Sequence, residues 1–157
     1  MEQKKVIAKL NWFYSLELNQ VDLYIAESKK TDDIYIKNTL KRVSVIEQQH
    51  VDNIASKIKK LGEKPTFLGD VIAPITGKIG GNIIGLTGVI NMLKINIKLE
   101  EKAMLDYKDF ILKSGKDKDL FELLWSNLID EDLHSAWFTN KIQELEEIKS
   151  KQKQKLF

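Results

Sequence analysis

Glu47-Gln48-Gln49-His50 and Glu131-Asp132-Leu133-His134 are the two stretches on which the reading of this chain turns. They hold the only two histidines of the sequence, and each histidine stands three residues after a glutamate. Residues three apart on a helix share a face, so each stretch presents a carboxylate and an imidazole side by side. With 12 glutamates among 157 residues, chance would put one in this position before both histidines about 0.6 % of the time.

The pattern repeats on a larger scale. Glu47 and Glu131 are 84 residues apart, as are His50 and His134, while Glu17 and Glu100 are 83 apart. Between the two halves lie most of the chain breakers: Gly62, Gly69, Gly77, Gly80, Gly81, Gly85 and Gly88, with Pro65 and Pro74. Four long helices are predicted, at about 3–28, 32–61, 89–113 and 117–150. Turn residues from Ser28 to Asp33 and from Ser114 to Asp117 close two hairpins, and Gly62 suits the position just past the second helix. The expected fold class is all-α, a four-helix bundle of two helical hairpins joined by a long crossover. Residues 1–150 form a single domain in this reading, and 151–157 a solvated tail.

Each helix has a predicted inward stripe. These are Leu10, Tyr14, Glu17, Val21 and Tyr24; Ile36, Leu40, Val43, Glu47, His50 and Ile54; Leu93, Ile97, Glu100, Met104, Tyr107 and Ile111; and Leu124, Leu128, Glu131, His134, Phe138 and Ile142. In all four, an ionisable residue occupies a position where the pattern asks for an apolar one. Glu101 competes with Glu100 but sits on the flank of its stripe. The three tyrosines read as amphipathic core residues, one of them suited to hydrogen-bond a ligand carboxylate. Asp130 and Asp132 read as surface charges.

Composition narrows the function. Lys and Arg number 25 against 23 Asp and Glu, a net charge of +2 that gives no electrostatic footprint for nucleic acid. The absence of cysteine excludes disulfides, thiolate metal sites, iron–sulfur clusters and a cysteine nucleophile. Met1 to Lys9 is charged and has no signal-peptide pattern, so a cytoplasmic location is expected. Residues 67–93 are apolar but interrupted by glycines, Pro74 and Lys78, which suits a lid, a crossover packed on the bundle or a membrane-peripheral contact better than a span.

Four carboxylates converging in an apolar bundle require compensation, because each buried unpaired charge costs several kcal/mol. Two divalent cations balance Glu17, Glu47, Glu100 and Glu131, and neutral His50 and His134 add nitrogen donors. One glutamate from each of two helices, with a Glu-x-x-His from each of the other two, is the arrangement by which ferritin-like bundles hold two metal ions. Mixed oxygen and imidazole donors favour two iron ions, with manganese or zinc as alternatives.

Over residues 5–145 the chain resembles the ferritin-like di-iron carboxylate superfamily. Within it, the stretch from Glu47 to His134 is most similar to the demethoxyubiquinone hydroxylase family. Leu61-Gly62-Glu63-Lys64-Pro65-Thr66 is similar to that family's Leu-Gly-x-Arg-Pro run, and Glu100-Glu101 with Tyr107 matches its glutamate pair and following aromatic. The family's Asp-His-Ala-Gly-Glu run is replaced by Phe13-Tyr14-Ser15-Leu16-Glu17, where only the glutamate is retained. Rubrerythrin-like proteins are the next nearest resemblance.

The expectation is a di-iron oxidoreductase that activates O2 or peroxide. Glu47 and Glu131 bridge the metals in this reading, Glu17 and Glu100 are terminal ligands, and His50 and His134 complete one iron each. The resemblance implies hydroxylation of an apolar quinol-like ring; peroxide reduction and ferroxidase or iron-handling activity are the alternatives. The partners expected are an external electron donor, O2 or peroxide and no nucleic acid, with a membrane contact through residues 67–93 and a homodimer as options.

Overall fold

The computed structural model describes residues 1–76, 84–115 and 117–155, the side chains of residues 76 and 84–87 excepted. Its elements are α1 (Gln3–Lys30), α2 (Ile34–Lys60), the single-turn α3 (Ala73–Thr76), α4 (Ile84–Ser114) and α5 (Lys118–Gln154). The helices start and stop where local chemistry demands. Asp33 accepts hydrogen bonds from the Tyr35 and Ile36 amides at the head of α2. Asp117 accepts from the Leu120 amide at the head of α5 and also binds the Lys57 ammonium at 2.8 Å. At the end of α2, Gly62 adopts φ 86, while the Gly62 and Glu63 amides donate back to the Lys59 and Ile58 carbonyls. That is a Schellman stop, and only glycine enters it without strain. Gly88 (φ 75, ψ 168) interrupts α4 near its start.

α1 packs along α2 and α4 along α5, giving the two hairpins of an all-α four-helix bundle. Two apolar clusters fill its ends. One contains Leu10, Phe13, Leu16, Ile54, Ile58, Tyr107, Phe110, Leu120 and Leu124; the other contains Tyr24, Ile36, Leu40, Val43, Met92, Leu93, Phe138 and Ile142. Glu17 on α1, Glu47 and His50 on α2, Glu100 on α4, and Glu131 and His134 on α5 are buried between them.

The inward stripes of α2 and α5 are those the spacing predicts. Those of α1 and α4 are displaced in part. Leu10, Glu17, Val21 and Tyr24 are buried as the spacing predicts, but Phe13 is fully buried and Tyr14 only half-buried at the edge of its cluster, and Gln20 and Glu27 also lie on the inward face of α1. On α4 Leu93, Glu100 and Tyr107 are buried as predicted, whereas Ile97, Met104 and Ile111 are half-buried and Asn96, Ala103 and Phe110 are buried beside them. The reason is ring stacking: Phe13 lies flat on Tyr107 with centroids 4.0 Å apart and continues onto Phe110 at 6.0 Å.

The first part of the crossover is strapped to α1. Asn11, Ser15 and Asn19, one helical turn apart, accept hydrogen bonds from the backbone amides of Thr66, Leu68 and Val71, each at 2.8 Å. Val71, Ile72 and Ile75 then pack on the first cluster, while Phe67 and Leu68 remain half-exposed. Of the apolar residues expected to form a lid, Ile79 and Ile83 lie outside the described residues, as do the side chains of Ile84 and Leu86. Among the described residues no helix is long and apolar enough to cross a membrane. The residues expected to form a solvated tail continue α5 as an exposed helix to Gln154.

Phe13→Ala should cost about 3–5 kcal/mol in urea unfolding, the range for a fully buried ring, and Tyr14→Ala less than about half of that. A larger loss at Tyr14 would restore the displaced stripe.

Candidate metal centre

All six predicted ligand residues converge in one layer. Glu17 comes from α1, Glu47 and His50 from α2, Glu100 from α4, and Glu131 and His134 from α5; the four glutamates are fully buried, His50 is 2 % exposed and His134 5 %. Glu101 faces solvent. The six side chains form two overlapping groups, Glu17–Glu47–His50–Glu131 and Glu47–Glu100–Glu131–His134, each with candidate donor atoms within 4.8 Å of one another. Glu47 and Glu131 belong to both.

The oxygens divide in a way that fits a metal pair. Glu47 turns Oε2 to His50 Nδ1 at 2.9 Å and Oε1 to His134 Nδ1 at 3.1 Å. Glu131 does likewise, with Oε1 3.2 Å from His50 and Oε2 3.9 Å from His134. Glu17 and Glu100 each give one oxygen to a tyrosine: the Tyr107 hydroxyl donates to Glu17 Oε1 and the Tyr24 hydroxyl to Glu100 Oε1. Their Oε2 atoms lie 3.7 Å from His50 and His134 respectively. Eight atoms are therefore buried without a hydrogen bond: both oxygens of Glu47 and Glu131, Oε2 of Glu17 and Glu100, and Nδ1 of both histidines. Buried polar atoms left without a partner are rare in native proteins, and the chemistry of these eight, six carboxylate oxygens and two imidazole nitrogens, suits a pair of divalent cations. The residues fit the group.

Neighbouring groups hold the donors in place. Asp130, expected as a surface charge, accepts from His50 Nε2 at 3.1 Å. This fixes the imidazole with its Nδ1 toward the carboxylates. The contact holds the Asp130 carboxyl below its ordinary range. His134 has no such support: its Nε2 makes no hydrogen bond, and the residue 84 positions before Asp130 is Ile46. Two tyrosines serve the ligands where one was expected, and Asn127 donates to the Tyr107 hydroxyl at 3.0 Å. Tyr14 stays half-buried at the edge of the first apolar cluster, away from this layer, and Asp132 is exposed.

Burial and mutual charge act on every group of the layer. Burial, with the charge of Glu131, pushes the Glu17 and Glu100 carboxyls well above their ordinary value of 4.5. At Glu47 and Glu131 burial acts in the same direction but is outweighed, chiefly by His134 and His50 at Glu47 and by hydrogen bonds from Glu100 and both histidines at Glu131. Both stay ionised. Burial pulls the two imidazoles down, yet the surrounding carboxylates win, raising His50 well above 6.5 and His134 to about 12.

No family model matches the chain. Among curated proteins it is 25 % identical over 150 residues to the outer kinetochore KNL1 complex subunit KRE28 of Saccharomyces cerevisiae, in strains YJM789 and RM11-1a, covering 90 % of this chain and 39 % of that protein. The chain thus spans about two fifths of the length of the curated relatives it matches. Among solved structures, the Desulfovibrio desulfuricans bacterioferritin, described with its diiron site in different catalytic states, matches with a TM-score of 0.77 at 21 % identity. The match covers 92 % of this chain and 82 % of that one. The fold is ferritin-like. A ferritin-like bundle with a buried cluster of four glutamates and two histidines is what sequence and structure give together.

Cations must displace protons here. Because burial favours the protonated form of Glu17 and Glu100 and the surrounding carboxylates favour the charged form of His50 and His134, uptake of two divalent ions should release protons, and affinity should rise with pH. Titration calorimetry in buffers of different ionisation enthalpy measures this; release of none would mean the ions bind elsewhere. Asp130→Asn should weaken one of two ions about 10–100-fold and leave the other unchanged, as Asp130 supports only His50. Equal weakening of both would rule out the asymmetry.

Proposed function

We propose that the chain is a di-iron carboxylate oxidoreductase that activates O2 or peroxide. The observation that carries this reading is the division of the carboxylate oxygens: both of Glu47 and of Glu131 face the histidines of the two halves, while Glu17 and Glu100 keep one each. Glu47 and Glu131, which belong to both groups, would bridge the two ions, Glu17 and Glu100 would hold one each, and each histidine would serve one position. The chemistry an iron pair supplies when bound is electron transfer to O2 or peroxide, renewed by an external donor, since this chain has no cysteine to hold an iron–sulfur relay. The protein's contribution is to hold six donors in fixed geometry, to keep water out of the layer and to anchor the terminal carboxylates through Tyr24 and Tyr107. Manganese suits the same donors. Zinc suits them too but carries no redox chemistry.

An apolar quinol-like ring is the substrate class we assign to the hydroxylase version, supported by the resemblance at Leu61–Thr66 and Glu100–Tyr107 and by the apolar composition of residues 67–93. Iron handling without an organic substrate is the second reading, favoured by the structural similarity to bacterioferritin. Size-exclusion chromatography separates the two, because storage needs a closed shell of many subunits. The kinetochore similarity would suit a metal-free interaction module, but such a module gains nothing from six buried ionisable ligands.

Purified protein loaded with ferrous iron should bind two equivalents per chain and develop a visible charge-transfer spectrum on exposure to air. Glu47→Ala should remove both equivalents, whereas His50→Ala should reduce only one. Two equivalents retained in Glu47→Ala with an unchanged spectrum would sink the assignment.

A further inference from the structure

One polar pair in the bundle core is left over from the metal layer. Glu27 on α1 is 2 % exposed and Asn96 on α4 fully buried; Asn96 Nδ2 donates to Glu27 Oε2 at 2.7 Å. Neither is a ligand in the reading above. The chain's own repeat shows that the fold does not require them. Moving 83 positions along the sequence, the offset that relates Glu17 to Glu100 and Tyr24 to Tyr107, turns Phe13 into Asn96 and Glu27 into Phe110. At the other end of the α1–α4 interface that place is filled by the stacked rings of Phe13 and Phe110. A carboxyl and an amide thus stand where an apolar pair packs equally well, and a buried carboxyl is a costly replacement.

The position suggests a use. Glu27 follows Tyr24 by one turn on the same face of α1, and Asn96 precedes Glu100 by one turn on α4. Tyr24 donates to Glu100. In the other direction, Lys30 stands one turn beyond Glu27 and faces solvent at the end of α1. Reduction of O2 or peroxide takes up one proton for each electron, and a layer closed to water needs a route for them.

We propose that the Glu27–Asn96 pair is the proton inlet of the metal centre, passing protons from the solvent-facing end of α1 to the Tyr24–Glu100 hydrogen bond. The proposal rests on the di-iron reading. In each transfer the Glu27 O–H bond breaks and its proton goes to the Tyr24 hydroxyl oxygen, directly on rotation of the side chain or across one water molecule. Tyr24 at the same time gives its own proton inward at Glu100, and Glu27 is reprotonated from solvent. One proton moves inward and no electrons move. The Glu27 carboxyl is suited to this, since burial first, opposed by the Asn96 hydrogen bond and by Lys30 and reinforced by Glu100, pushes it up to about 8. A donor close to the working pH transfers most effectively. The charged groups that act on it are Lys30 on α1 and Glu100 on α4, and Tyr24 precedes it by one helical turn on α1. α2 and α5 meet this part of the core with apolar Ile36, Leu40, Phe138 and Ile142.

The test uses Glu27→Gln and the double variant Glu27→Leu/Asn96→Leu, the latter copying the apolar character of the pair at the opposite end. Both should fold and bind two metal equivalents. In zinc-loaded protein the ligand carboxyls are ionised, so infrared titration should show one protonated-carboxyl band that disappears near pH 8; it should be missing from both variants. In iron-loaded protein both should slow single-turnover reaction with O2 or peroxide about tenfold or more and remove the pH dependence seen near pH 8. Two bound iron equivalents with wild-type rate and pH profile in both variants would overturn the inlet and leave the di-iron reading intact. Failure of the wild type to bind metal would overturn both.

Discussion

Four carboxylates and two imidazoles in one dry layer set the terms for the rest of this molecule. An isolated ion in such a place costs several kcal/mol even after relaxation, so the layer exists only if its charges cancel. Burial favours protons on Glu17 and Glu100, and the carboxylates favour protons on both imidazoles. Two divalent cations would balance the same donor atoms instead. The apolar clusters at the two ends exclude water from the layer, and that exclusion makes compensation obligatory.

The two halves of the site are related but not equal. Glu-x6-Tyr recurs on α1 and α4, and each tyrosine serves the other helix's glutamate. That reciprocity is nearly symmetric. Beyond it the halves diverge, with Asp130 behind His50 but Ile46 at the corresponding place for His134, and stacked rings at one end of the α1–α4 interface but Glu27 and Asn96 at the other. The two halves of the layer therefore hold their histidines with unequal support.

The convergence of the six residues was legible because a charged residue in an apolar stripe is costly unless its neighbours compensate it. The stripes of α2 and α5 were legible for a related reason, since one apolar series alone fits each. On α1, Phe13 and Tyr14 are adjacent and both suit the inner face; only the ring stack with Tyr107 on another helix decides between them. On α4, Ile97, Met104 and Ile111 exceed Asn96 and Ala103 in hydrophobicity, yet the closer approach to α1 selects the smaller and polar residues. Asp130 is half-exposed and acts through a contact 80 residues distant in sequence, which periodicity cannot register. The Asn11, Ser15 and Asn19 strap carries a four-residue spacing, but reading it requires knowing what lies alongside.

The long crossover follows from the tyrosine exchange. Tyr24 reaches Glu100 and Tyr107 reaches Glu17 only if α1 and α4 run antiparallel; were they parallel, each tyrosine would stand level with the other instead of with a glutamate. α2 runs opposite to α1, so α4 must run in the same direction as α2. A tight turn cannot connect them, because the chain leaves α2 at one end of the bundle and must begin α4 at the other. With α2 about 40 Å long for its 27 residues, the connection has to travel most of the bundle's length. The progression of the strap, from Asn11 with Thr66 to Asn19 with Val71, is the beginning of that journey along α1. The glycine- and proline-rich connection is therefore part of the site's geometry, since it allows the two Glu-x6-Tyr helices to meet head to tail.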